Sequence, residues 1–480
     1  MAMGKRRQRQ EMLFVSADRL PKSQGHPFYE KLNALLAEAG FDCWVEKRCQ
    51  QYYEQEEKRG QPSLPPGVYF RMLLVGYFEG IDSQRGIAWR CADSLSLRQF
   101  LGIPLNETTP DHSTLTNTRK RLPPEVFEEM FQFVLGIAVE KKLLSGQTVG
   151  VDSTTLEANA AMKSILRRDT CEDWKHYVTR LMHEQGVIPP EQQPSDEEIR
   201  RFDKQRKDKK VSNEEWFSPN DPDARITHMK DGTTHLAYKA EHAVDLETEL
   251  ILSAEVYYAD EGDATTLEDT VQIAQANLRE SGSEAQIRDV AADKGYHSNE
   301  AITTFAEETP YRTYIPEPKR PAGQTRVWVG KPPEQRDAVY ANRRRTRGQR
   351  GKRLQRLRSE RVERSFAHVC ETGGARRTSI RGIEEVNKRY VISAMAHNLG
   401  RLMRELFGMG TPRGLQKGAE ALAASLCAMY LALIAIWSLL TAPWRSIMKS
   451  RRPDALIRPA RRPAAGYRRA RPNSRFSTGC

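Results

Sequence analysis

Between residues 64 and 144 the apolar positions recur at helical spacing and are punctuated by cap signals. PPGVYFRMLLVGYFEG opens on prolines, and DSQRGIAWRC, DSLSLRQFLG and DHSTLTNTRKRL each open on an Asp or Ser able to cap a helix. With PEVFEEMFQFVLGIAVEKKLL behind them, residues 61–144 are predicted to form an all-α, helix-turn-helix-like domain. Residues 1–60 carry one helical pattern, through Phe28, Leu32, Leu35 and Leu36, and read as a leader arm to that domain. After residue 144 the period changes. QTVGVDSTTLEAN reads as a strand whose apolar run ends on Asp152, THLAYKAEHAVD and ELILSAEVYYAD read as a hairpin, and RDVAAD reads as a buried strand ending on Asp293. A Ser-Asn-Glu helix start follows Asp293, then a short strand at YRTYIP. The charged stretch at about 160–230, broken by IPPEQQPSDEE and SPNDPD, is predicted to be an insertion. This order predicts an α/β domain over 145–412, a mixed sheet flanked by helices.

Charge changes the picture next. The chain has 480 residues, 75 Lys and Arg against 63 Asp and Glu, and a net charge of +12, a balance that suits a polyanionic partner. Thr116, Arg119, Lys120 and Arg121 give the helix at 111–122 a surface fit for phosphate and base-edge contacts. Arg343, Arg344, Arg345, Arg347, Arg350, Lys352 and Arg353 form a basic run expected to hold the DNA backbone. Seven scattered cysteines without a C-x-x-C pair argue against a disulfide framework or a zinc site, and a reducing cytoplasm fits them. No apolar segment follows the basic start MAMGKRRQRQ, so no secretory signal is expected. Residues 421–440 hold no charge and have the length of a bilayer span. They are read as a buried C-terminal helix, with a membrane anchor as the alternative, and the basic tail within 413–480 reads as disordered.

Carboxylates supply the candidate chemistry. Asp152, Asp293 and Glu363, the last on a helix after the basic run, would repel one another if brought together, and hard cations are their natural partners. Two Mg²⁺ ions, or Mn²⁺ in their place, would suit in-line phosphoryl displacement. His228, His235 and His242 are expected to be satisfied polar histidines and not ligands. Lys294 directly follows Asp293 and could orient a scissile phosphate, and Gly295 is expected to let the chain turn tightly. Arg364 points about 100° from Glu363 on a helix and is expected to hold DNA.

GVDSTTLEAN, HMKDGTTHLAYKAEHAVD, VAADKGYHSNEAI and RVERSFAHVCETGGARRTSIRG resemble successive blocks of the DDE transposases of bacterial insertion sequences, close to the insertion sequence 1182 group of the 4 and 5 superfamily. The resemblance spans roughly residues 60–412. It implies an RNase H-like catalytic domain, metal coordination by Asp152, Asp293 and Glu363, binding of the double-stranded DNA of the element's ends and target, and assembly at least as a dimer. Glu360 competes with Glu363 as third acid, and the Arg-Ser-Phe that follows Glu363 favours Glu363. Strand cleavage and strand transfer in the nucleoid are therefore the expected activity. A DNA-binding relic without catalysis and a basic membrane-associated protein are the alternatives.

Overall fold

The computed structural model describes residues 25–53, 63–207, 211–229, 232–318, 330, 332–414 and 429–430. The apolar run 421–440 and the basic tail lie almost wholly outside these residues. Among the described residues no helix is long and apolar enough to cross a membrane.

Seven helices come first: α1 (Pro27–Glu38), α2 (Phe41–Cys49), α3 (Pro66–Glu79), α4 (Gln84–Asp93), α5 (Leu95–Leu101), α6 (His112–Arg121) and α7 (Pro124–Glu140). Their starts are set by the cap signals in the sequence. Ser83, Ser94 and Asp111 accept from backbone N–H groups of α4, α5 and α6, and prolines occupy the first turns of α3 and α7. Of the stretch read as a leader arm, the described residues 25–53 pack into this layer. Phe28, Tyr29, Leu32, Leu35 and Leu36 are buried, and Phe28 packs edge-on against Phe78 of α3 at 4.7 Å. Burying those side chains outweighs the cost of ordering a charged segment, because the charges fall on the outer face.

The sheet follows, beginning with β1 (Thr148–Glu157). A small lobe then carries β2 (Leu166–Arg167), α8 (Trp174–Glu184), α9 (Asp196–Gln205) and β3 (Trp216–Phe217), with its own apolar cluster of Val178, Met182 and Ile199. β4 (Arg225–His228), β5 (Thr234–Asp245), β6 (Ile251–Tyr258), α10 (Asp263–Glu280), β7 (Asp289–Ala292), α11 (Asn299–Glu308) and β8 (Arg312–Tyr314) complete the sheet and its first cover. The strands run β4-β5-β1-β7-β8, with β6 also on β5. β5 is antiparallel to β1, whereas β7 is parallel to β1 and β8 to β7, so the sheet is mixed.

Three helices close the fold: α12 (Pro333–Arg347), α13 (Gln349–Phe366) and α14 (Ile383–Phe407). A six-residue π-helical turn, Ala367–Thr372, continues α13. α14 is buried on most sides, including Val386, Tyr390, Val391, Ala394, Leu399 and Leu402, because it lies between the sheet and the N-terminal helices. The apolar core is therefore continuous from α1 to α14 and joins the helical region to the sheet.

The packing of α14 on β6, with α7 against α14, leaves one acid in an unfavourable place. Burial, then the neighbouring Glu128 carboxylate, pushes the Glu255 carboxyl up to about 8. The native chain thus keeps a proton that the unfolded chain releases in the ordinary carboxylate range. Stability is lost as the pH rises through that window. Glu255→Gln is expected to raise the melting temperature by roughly 2–5 °C at pH 8.5 and by much less at pH 5, as measured by calorimetry at the two pH values.

Candidate active site

Asp152 and Asp293 are brought together by register. β1 and β7 run parallel and are paired from Thr148 with Asp289 to Val151 with Ala292, so the next residue on each chain is one of the two acids. Parallel neighbours lie about 4.8 Å apart, and side chains in the same phase share a face. Asp152 is not the last residue of its strand, contrary to the reading of its apolar run. β1 continues to Glu157 because β5 still pairs with it, Thr154 opposite Ala240 and Leu156 opposite Tyr238. What ends at Val151 is the pairing with β7, and that opens a gap beside Asp152.

α13 lies over this gap. Arg358 is buried beneath the helix, with Nη1 2.6 Å from Asp152 Oδ2 and Nη2 3.7 Å from Asp293 Oδ1. A single guanidinium thus offsets the repulsion of two carboxylates. Its Nε is buried with no acceptor among the described residues, so the guanidinium is not fully satisfied there. Close approach of α13 needs Gly150. A Cβ there would sit 2.7 Å from Leu246 Cδ2 and 3.0 Å from both Arg358 Cγ and Val362 Cγ2. The sequence reading passed over Arg358. Its signal was its position on the apolar stripe Gly351, Leu354, Val362, Ser365, all buried, where a charge calls for a partner.

The other face of the sheet holds the turn that carries Asp293. Tyr296 is buried and its hydroxyl donates to Glu241 Oε2 at 3.0 Å, which also accepts from Thr266 Oγ1 at 2.8 Å. Lys239 Nζ donates to Thr266 Oγ1 at 2.8 Å and lies 3.4 Å from Asp263 Oδ1. Ser153, the residue after Asp152, donates to the same Asp263 oxygen at 3.0 Å. Burial raises the Glu241 carboxyl above its ordinary range, and burial followed by the Glu241 charge raises the Tyr296 phenol further. Gly295 has an ordinary negative φ, so its role is not left-handed turning. A Cβ there would meet Asp263 Oδ2 at 3.0 Å, and glycine lets the turn lie against α10.

Glu363 is not gathered with the two aspartates. It is exposed on the flank of α13 and accepts from Ser359 Oγ at 2.9 Å, and no group of three His, Cys, Asp or Glu able to hold a metal occurs among the described residues. Glu360 is committed elsewhere, to Arg364 at 2.6 Å, and Arg364 reaches Glu249 at 2.7 Å. Asp152 and Asp293, partly exposed hard-oxygen donors on one face, fit a divalent cation.

The basic residues divide. Arg119 is buried and pairs with Glu385 of α14, Thr116 bonds to Gln84 and the His112 carbonyl, and Arg121 stacks over Tyr53. Those three lock α6 into the protein, which leaves Lys120 as its exposed cation. Arg343 forks onto Glu317, Arg345 caps the Thr313 carbonyl and Arg350 pairs with the buried Asp289. Lys294, Arg344, Arg347, Lys352 and Arg353 are exposed. His242 is a satisfied core histidine, bonded to Ser365 Oγ and Tyr390 OH at 2.8 Å each and stacked on Phe366. Burial drives its pKa well below the usual value.

Two family models match the chain. One, described as "Transposase domain (DUF772)", matches residues 15–121, the helical layer. The other, described as "Transposase DDE domain", matches residues 203–399 and takes in most of the sheet with Asp293 and Glu363, whereas Asp152 falls between the two matches. Neither a curated protein nor a solved structure matches the chain. With a helical transposase layer packed on a mixed sheet that aligns two aspartates, the chain belongs to the DDE transposases, enzymes that cleave and transfer DNA strands.

Proposed function

We propose that this transposase cuts and joins DNA at the face shared by Asp152 and Asp293, using Mg²⁺ or Mn²⁺, on the ends of its own insertion sequence. The observation that carries this is the β1–β7 register, which sets the two carboxylates side by side where strand pairing stops. An antiparallel hairpin on one side of β1 and two parallel strands on the other support an RNase H-like reading of the sheet. Glu363 is proposed as the third acid, and a pair of ions would be held among the three. Such ions would activate the attacking water or 3′-hydroxyl and offset charge on the leaving oxygen.

The chain's own residues supply the rest. Arg358 lies between the Asp152 and Asp293 carboxylates and offsets their repulsion, which keeps the site assembled before any DNA arrives. Hydrolysis of one phosphodiester leaves a 3′-hydroxyl. That hydroxyl attacks a target phosphodiester, one P–O bond forming as another breaks, so strand transfer needs no energy source. Lys294 and the exposed cations of α12 and α13 are proposed to hold the phosphate backbone, with affinity that falls as salt rises. Assembly as a dimer would let two ends be processed together.

The test is the purified full chain with a linear duplex carrying the DNA that adjoins its coding region, in Mg²⁺, Mn²⁺ or EDTA. New 3′-hydroxyl ends at a fixed boundary and joining to a target plasmid, both lost in EDTA, are expected. DNA binding with no cleavage in either metal would make the chain a relic.

A smaller effect is expected from Tyr296→Phe. Removing the donor leaves buried Glu241 less satisfied, costing about 1–2 kcal/mol of stability, and loosens the turn carrying Asp293. The metal concentration giving half-maximal cleavage should rise several-fold while DNA-end affinity stays at the parent value, a titration that separates positioning from binding.

A further inference from the structure

A groove of about 760 Å³ lies between α4, α6 and the segment 376–382 that leads into α14. Trp89 stands on its wall with 71% of its surface exposed, the largest exposure among the buried-type aromatic side chains described. Arg85, Lys120 and Arg381 are exposed around it, and neither Arg85 nor Lys120 has an ion-pair partner among the described residues. Glu385, the acid in the lining, is already held by Arg119 and Lys388. The groove is therefore net positive, with an aromatic plane set among its cations. That combination suits a nucleic-acid strand, whose phosphates take the cations while a sugar or base packs on the ring.

Its place relative to the acids is fixed by the sheet. Arg376 donates to Thr154 Oγ1 and the Thr155 carbonyl, and the Thr378 N–H donates to the Glu157 carbonyl, so this segment rides on the end of β1. From Asp152 to Glu157 the strand advances roughly 17 Å at about 3.3 Å per residue, and a duplex rises about 3.4 Å per base pair. The Arg119–Glu385 pair and the Thr116–Gln84 bond hold α6 and α4 rigidly on this track.

We infer that this groove seats the DNA arm adjoining the processed strand end, contacting it about five to seven base pairs from the phosphate at Asp152 and Asp293, with Trp89 packed against it. The inference rests on the transposase reading of the site. It is tested on the full chain with a fluorescein-labelled 40-base-pair duplex of the DNA adjoining its coding region, with duplex RNA of the same length in parallel. The triple variant Arg85→Glu, Lys120→Glu, Arg381→Glu should bind the DNA about 100-fold more weakly near 0.1 M salt, with a salt slope lower by about 3. Trp89→Phe, a milder change, should abolish the part of the tryptophan quench that the parent shows on binding. Parent-like affinity and slope in the triple variant, or an undiminished quench in Trp89→Phe, would overturn the groove while leaving the transposase reading intact. Tighter binding of RNA than DNA would overturn the assigned partner. A parent that binds no DNA would remove both the groove and the proposed function.

Discussion

Asp293→Asn and Asp152→Asn proteins are each expected to lose metal-dependent strand cleavage by at least about 10²–10³-fold while binding the element's ends as the parent does. The asymmetry follows from where the acids sit. Both lie on one face beside the terminated β1–β7 pairing, and neither is a cation able to hold a phosphate. An amide keeps the shape of the carboxylate and loses the charge, so the fold is retained and a cation loses a ligand. Arg358 then faces one acid where it faced two, and the variants should melt within a few degrees of the parent. Gel assays for cleavage, anisotropy for end binding and calorimetry for melting measure the three quantities on the same preparations. Full cleavage by either variant would remove that acid from the site.

The two aspartates differ in how openly the sequence announces them. Asp293 follows the four-residue run Asp289–Ala292 and precedes Lys-Gly, so a strand end was visible in the period and composition. Asp152 sits in the middle of a ten-residue strand whose second half opens with Ser, Thr and Thr, and hydroxyl side chains look like a turn until the partner strand is known. The mixed sheet and the order of its strands followed from local patterns. Three features did not, because each depends on contacts distant in sequence. Arg358 is one of ten arginines within residues 343–364, and only its place on the buried stripe sets it apart. Arg119 looked like a DNA ligand because its helix is polar, yet its partner is Glu385, more than 260 residues away. The first two helices looked like an arm because their large apolar residues are spread among charges, yet Phe28, Leu32, Leu35, Leu36, Phe41 and Val45 are all buried in the core.

Glu363→Gln is expected to reduce cleavage by roughly 10²-fold and Glu360→Gln by less than about twofold, a contrast that decides the third acid. Three positions apart on a helix, the two lie only about 60° from each other, and sequence spacing alone separates them poorly. Their partners separate them well. Glu360 is fixed to Arg364, which is itself fixed to Glu249 at the hairpin after β5, and these interactions hold it away from Asp152. Glu363 shares a flank of α13 with Ser359 and Gln355, and Gln355 donates to the Ala292 carbonyl, the residue immediately before Asp293. To join the aspartates, the Glu363 carboxylate would have to give up its bond from the Ser359 hydroxyl. A single hydroxyl hydrogen bond costs about 1 kcal/mol to exchange, far less than a shared cation returns. Manganese titration followed by electron paramagnetic resonance should therefore show weaker ion binding in Glu363→Gln and parent-like binding in Glu360→Gln. The reverse pattern would move the third acid to Glu360 and require the Arg364 pair to break on metal binding.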